Sequence, residues 1–452
     1  MRLISRATDQ MGSRKRPHSA QIITAVVANT AGEIFELEGY GAVRMAGPTL
    51  APLTVSDTIK MPHGSELMLL PDRIPLLWDI DAGRFAAVPE NPYEPGEPLF
   101  PVAAFNSPGY VLTGVSAYEE RPGAALLPLF SYGAVGWQGS GFRTAAVQVD
   151  RERRQDLRLM KPEDVARGIQ HKRKNLPENR LRAHLEKCAL TYGCPAGKNF
   201  FLQRYEAPLP TSRSCNARCL GCISLQTDDT LVSSQNRIAF TPSPEEIAQV
   251  ALAHIRKVKK SVVSFGQGCE GDPLMAAGAI EPAIRKIRIA ESRGTINMNT
   301  NASRPDLLER LFDAGLDSIR VSLNSVRPAC YDTYFRPSGY RFADVLASID
   351  LALDKGRFVA INYLNCPGFT DIPAEHEALL AFLDAHRIHM IQWRNLNYDP
   401  LRYWQTMGVL DDPAQPLGMR RCLTQVKKAF PQLIHGYFNP PREKWNRPGD
   451  AP

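Results

Sequence analysis

Apolar and polar positions follow two different rhythms along this chain, and the change falls near residue 150. Before it, apolar runs are short. Residues 21–27 are rich in β-branched side chains, and residues 33–38 alternate apolar and polar positions with period two. Further short runs occupy 65–70, 109–114 and 145–149. Pro and Gly punctuate the intervals, as at Pro89, Pro92, Pro95, Gly96 and Pro98. Short strands separated by turn formers predict a β-rich domain of its own over residues 20–150, a small barrel or sandwich.

After it the period lengthens. Residues 151–198 read as a helical connector. Pro162 with Glu163 and Asp164 suits a helix start, and Leu181 and Leu185 share one helical face. From residue 199 strands and helices alternate. Candidate strands are 262–265, 296–300, 318–323, 358–364 and 389–395, with one more expected just before residue 211. Candidate helices lie near 245–260, 275–292, 306–314, 344–355 and 374–386, with Pro244 and Gly356 as start and stop signals. About six βα units over 199–397 imply a parallel sheet with helices outside. Residues 398–452 form an extension with a helical stretch at 417–430, and 436–441 are expected to fold back over the sheet. Residues 1–19 read as a disordered basic tail.

Length and composition narrow the class. A chain of 452 residues has room for two or three domains, and 44% hydrophobic with 22% charged residues suits a soluble globular protein. No apolar run is long enough to cross a bilayer, and the first 18 residues lack the apolar core of a secretory signal. Nine cysteines in so long a chain are no disulfide framework; their clustering points to metal ligation in a reducing cytoplasm. The net charge of +7 is unevenly spread, with 12 Lys or Arg against 6 Asp or Glu in residues 151–187. That connector either binds nucleic acid or is a solvated helical linker, and the linker is the favoured reading.

The chemistry concentrates in residues 211–224, where Cys215, Cys219 and Cys222 form a C-x3-C-x2-C array. A structural zinc site closes with four protein ligands, and common ferredoxin patterns supply four cysteines per cluster. Three suggest an iron-sulfur cluster with one iron left open. A zinc site completed elsewhere and three ordinary buried thiols are the alternatives. The array resembles that of the radical S-adenosylmethionine (radical SAM) superfamily, with a core similar to its molybdenum-cofactor-biosynthesis and activase types. The resemblance implies an α/β fold, a partial (βα)6 TIM-like barrel with its site at the C-terminal strand ends. It implies a [4Fe-4S] cluster on Cys215, Cys219 and Cys222. S-adenosyl-L-methionine would bind the open iron and be cleaved reductively to a 5'-deoxyadenosyl radical. That radical would take hydrogen from an unidentified substrate, with an electron donor such as flavodoxin or ferredoxin. Superfamily members carry an aromatic residue just before the last Cys. Here that position is Gly221, so the adenine contact must come from elsewhere.

Each remaining motif follows a candidate strand. Gly266, Gly268 and Gly271 spell G-x-G-x-x-G, the dinucleotide fingerprint. Glu270 and Asp272 would repel a pyrophosphate there, and Pro273 interrupts the helix entry. The resemblance instead makes this a Gly-Gly-Glu-like loop, with Gly268 and Glu270 at the methionine ammonium. It places Asn299, Asn301, Ser322 and Asn324 near the ribose or the methionine carboxylate, and Asn362 near the adenine. Strand-end turn formers are the plainer reading of those four. Arg394 is a candidate for an anionic substrate, and Trp393 for the core. Cys188, Cys194, Cys366 and Cys422 are either ligands of an auxiliary cluster or buried thiols; Cys269 and Cys330 are taken as structural. The β-rich domain shows no nucleophile or ligand cluster, so substrate docking and partner binding are its open roles. The competing function is a non-catalytic zinc or iron-sulfur protein whose connector binds RNA.

Overall fold

Seven parallel strands stand side by side in chain order. They are β1 (Glu206–Pro208), β2 (Val262–Phe265), β3 (Thr295–Thr300), β4 (Ser318–Leu323), β5 (Phe358–Asn365), β6 (Met390–Asn395) and β7 (Ile434–Gly436). The computed structural model describes residues 22–226, 231–411 and 413–445; the expected tail over 1–19 lies outside them. Six strands match the expected βα units. β7 is an addition from the C-terminal extension, pairing parallel to β6 through Met390 and Ile434. At three residues it is too short to leave a periodic signature.

Sequence alternation sets the two faces of the sheet. In β4, Ile319, Val321 and Leu323 are fully buried beneath Leu308, Leu311 and Phe312 of the flanking helix. Arg320 and Ser322 fall on the opposite, inner face. The same rule turns Asn297 and Asn299 of β3, Asn362 of β5, and Gln392 and Arg394 of β6 inward. The lumen is therefore polar while the outer face is sealed by helices. Those helices begin where predicted. Pro244–Ile255 opens with a capping box between Ser243 and Glu246. After β7 the extension crosses under the lumen. Asn439 there donates to Glu206 Oε1 at 2.7 Å and accepts from Gln392 Nε2 at 2.9 Å, tying β1 to β6 across the lumen.

The connector is not a solvated linker. Its helices α1 (Pro162–Asn175), α2 (Arg180–Thr191) and α3 (Pro195–Phe201) pack against Pro244–Ile255. Lys172 is buried, donates to the Ala253 carbonyl at 3.1 Å and lies over the Phe200 ring. Much of the basic charge is spent locally: Arg154 on Glu152, Arg158 on Asp156, Arg180 on Glu246, and Arg173 and Arg182 on Glu186. Sequence counting registers the cations but not their partners.

The N-terminal region is β-rich, as expected, and its strand pairings are antiparallel. It shares one apolar core with the barrel, from Met45 and Trp78 to Ile296 and Trp393. It also meets the C-terminal strand ends. Asn395, which ends β6, accepts from the Leu112 amide at 2.9 Å, and Asn365, which ends β5, donates to the Leu112 carbonyl at 3.0 Å. The firmest tie is ionic. Asp399 Oδ2 accepts from Arg73 Nη2 at 3.0 Å and from the Leu127 amide at 3.1 Å, and the two side chains are 0% and 1% exposed.

Candidate functional site

β1 ends in the cysteine loop, and the loop is held by its neighbours more than by its own turns. Gly271 N–H donates to Ser212 O at 2.8 Å and Asp272 N–H to Ser214 O at 3.1 Å. On the far side, Arg218 and Leu220 amides donate to the carbonyls of Phe335 and Tyr334. Cys215, Cys219 and Cys222 are free, partly exposed thiols. Burial, then Asp272, pushes Cys215 up to about 11; burial, then the other two thiols, pushes Cys219 higher. Thiols that raise one another in this way need a cation among them before they ionise together. Arg237 supplies one guanidinium, with Nη2 3.6 Å from Cys222 Sγ. The donor set thus fits a metal cluster.

Glu270 takes a different place from the one the sequence suggests. Its Oε2 accepts from the amides of Thr211 and Ser212 at 2.7 and 2.9 Å. Its Oε1 accepts from Gly266 and Gln267 at 2.7 and 2.8 Å. Four backbone donors fill the carboxylate, so it joins the cysteine loop to the loop after β2. Burial pushes it up to about 7 against those four donors. Gly266, at φ +79°, lets the loop pass where a Cβ would lie 1.7 Å from Asn299 O. Gly268 lies in the same loop, packed against Ile223 and Gln235. Gly221 is also a contact position: a Cβ there would stand 2.8 Å from Asn397 O and 3.0 Å from the Tyr334 hydroxyl. No aromatic side chain fits at that position.

The other candidates divide into braces and free groups. Asn299 donates to Gly266 O at 3.0 Å, and Asn301 donates to Asn216 Oδ1 at 2.8 Å, next to Cys215. Asn324 donates to Cys330 O and to the Tyr403 hydroxyl, while its buried Oδ1 has no partner. Ser322 and Asn362 lie side by side in the register of β4 and β5, and the buried Asn362 Oδ1 is unpartnered. These two bring open polar groups to the lumen. Beside them, Arg320 donates to Gln392 Oε1 at 3.1 Å and has an unpartnered Nε. Burial, then Arg394, pushes Arg320 down to about 9. Arg394 donates to Tyr437 O and lies 4.0 Å from that ring's centroid. Among the described residues neither arginine has an ion-pair partner. The sequence reading passed over Arg320, although its alternation with Ser322 marks it as inward-facing.

Cys188 has neighbours that spacing did not suggest: His184 and Cys269. Cys366 and Cys422 are buried, and burial, then the charge of Asp371, raises both thiols. A cavity of about 1290 Å3 opens at the N-terminal strand ends among Tyr205, Leu383, His389 and Phe438, away from the cysteine loop.

Residues 209–383 match the family model described as the Radical SAM superfamily. This segment, less than half of the chain, is thus similar to members of that superfamily, which bind a [4Fe-4S] cluster and S-adenosyl-L-methionine. The chain is 24% identical over 202 residues to a GTP 3',8-cyclase of Streptomyces coelicolor, which covers 43% of this chain and 54% of that protein. The chain thus spans about half the length of this curated relative. Solved structures similar to it include a radical SAM methyltransferase from Sphaerobacter thermophilus, with 16% identity and a TM-score of 0.34 over 46% of this chain and 65% of the other. Another is Streptococcus suis SuiB bound to S-adenosylmethionine, with 14% identity and a TM-score of 0.36 over 58% and 52%. Among the described residues no helix is long and apolar enough to cross a membrane.

Proposed function

We propose that this chain is a radical SAM enzyme in which Cys215, Cys219 and Cys222 hold a [4Fe-4S] cluster. When bound, the cluster and S-adenosyl-L-methionine supply a one-electron cleavage yielding a 5'-deoxyadenosyl radical, which takes a hydrogen atom from the substrate. The observation that carries this reading is a loop of three free thiols at the C-terminal end of a parallel sheet, facing a polar lumen.

The remaining work belongs to the protein. Glu270 and Asn301 fix the cysteine loop against β2 and β3, and so position its thiols. Ser322 and Asn362 offer a hydroxyl and an amide oxygen to the bound cofactor. Arg320 and Arg394, two cations without an ion-pair partner among the described residues, select a substrate bearing an anionic group. The N-terminal region walls the mouth beside β5 and β6 and helps keep water from a reactive carbon radical. An external one-electron donor such as flavodoxin or ferredoxin would serve it, and an oxygen-sensitive cluster suits a reducing cytoplasm.

Anaerobic reconstitution tests the assignment. The parent protein should show a cluster spectrum by electron spin resonance that shifts on adding S-adenosyl-L-methionine. Cys215→Ala should abolish cofactor cleavage. Undiminished cleavage by that variant with a full cluster would overturn the assignment.

A further inference from the structure

We propose that the chain holds a second metal, a single structural zinc ion, on His184, Cys188, Cys269 and Cys194. His184 and Cys188 lie one turn apart on the same face of α2. Cys269 comes from the loop after β2, 81 residues further on. The ligand atoms of these three all lie within 4.8 Å of one another, and His184 Nε2 is 3.5 Å from Cys188 Sγ. A tetrahedral zinc with bonds of about 2.3 Å to sulfur and 2.0 Å to nitrogen separates such ligands by about 3.5–3.8 Å. The His184–Cys188 separation already has that length, and the other two separations lie within 4.8 Å. A four-iron cluster would place each thiolate on its own iron, spread further apart. A disulfide would need the sulfurs at about 2.05 Å, and all nine cysteines are free.

Cys194 would supply the fourth ligand by a turn of its side chain. It caps the start of α3 and its amide donates to Cys188 O at 3.1 Å, while its sulfur stands outside the group of ligand atoms that lie within 4.8 Å of one another. Cys188 and Cys269 are 2% and 6% exposed, so the ion would be screened from water. Three thiolates and one imidazole form a closed structural set, with no open position for chemistry. The ion would clasp the connector to the loop whose Glu270 carboxylate holds the cysteine loop.

Elemental analysis of the full chain, purified without oxygen, reads the site directly. About one zinc per chain is expected, in addition to the cluster iron. Cys215→Ala should lose iron and keep zinc; Cys269→Ser should lose zinc. Zinc-edge X-ray absorption on the unmutated protein should give three sulfur neighbours and one nitrogen, and needs no variant to fold. No zinc above background, zinc retained in full by Cys269→Ser, a shell of oxygen and nitrogen alone, or a Cys188–Cys269 disulfide would each overturn the proposal. Because Cys215→Ala separates the two metals, failure of the zinc site leaves the cluster assignment to its own test.

Discussion

The two ends of the barrel treat buried polar groups in opposite ways. At the N-terminal strand ends, burial removes charge. His254 is fully buried, keeps one partner, the Tyr205 carbonyl at 3.2 Å, and is pushed down to about 4 by burial. His435 near the large cavity is also pushed down to about 4, by burial and then Lys427. At the C-terminal ends burial also works against charge, pushing Glu270 up to about 7 and Asp272 up to about 6, but partners oppose it: Glu270 collects four backbone amides, and Asp272 accepts from the Asn301 and Leu274 amides and the Thr300 hydroxyl. Neutral groups suit a floor that only has to stay shut. Carboxyl groups saturated with protein donors suit a rim that must hold loops in one place. Cavity volume alone does not mark the chemistry here: a space of about 1290 Å3 lies at the end with no cluster loop.

Four changes would break or sharpen this contrast. The largest effect is expected from Glu270→Ala, which strands four backbone donors at the rim. It should lower unfolding stability by about 3–5 kcal/mol and release iron, read by urea unfolding and iron content. A variant as stable as the parent would mean that the rim is held by something else.

Next is the floor. His254 has a folded pKa near 4, below its ordinary 6.5. The unfolded chain therefore binds more protons between those values, and stability is full above pH 6.5 and falls as pH drops toward 4. The loss from this residue approaches about 3 kcal/mol. His254→Gln should flatten that part of the profile in unfolding titrations, and an unchanged slope would show that His254 is not held neutral. Third, Arg320→Met should lower product formation about 100-fold while cofactor cleavage without substrate persists; equal loss of both would move Arg320 from substrate to cofactor. The smallest effect is at the floor again. Arg387 ends the helix Pro373–His386 at φ 46°, a left-handed conformation. Arg387→Gly should raise stability by about 0.5 kcal/mol, seen by thermal melting, and leave turnover unchanged.

Much of the barrel was legible because its signals are local. Val262–Phe265 and Ser318–Leu323 begin and end where residue type alone places them, and Pro244 starts its helix. The cysteine loop was legible because its spacing is short. Long-range convergence was not. Nothing near Glu270 in sequence announces that Thr211 and Ser212 will donate to it, and Cys188 gives no sign of Cys269. Net charge misled for the connector because Glu186 and Glu246 take up cations from different helices. In the N-terminal region, alternation at 33–38 and the short apolar run at 65–70 fall on the strands Ile34–Gly41 and Glu66–Leu69, but the pairing of the second with Val102–Phe105 gave no local sign.

The Arg73–Asp399 pair has a consequence for how the protein is made. Its members are 326 residues apart, so at about 5–20 residues per second the guanidinium leaves the ribosome tens of seconds before its carboxylate. Until then Arg73 has only the partly exposed Glu120 and the Pro71 carbonyl of its own region and lacks its fully buried partner, and the same would hold permanently for a fragment expressed alone. Maturation of the N-terminal region should therefore wait for the barrel, and a nascent chain halted before residue 399 should remain open to protease at the strands around Arg73.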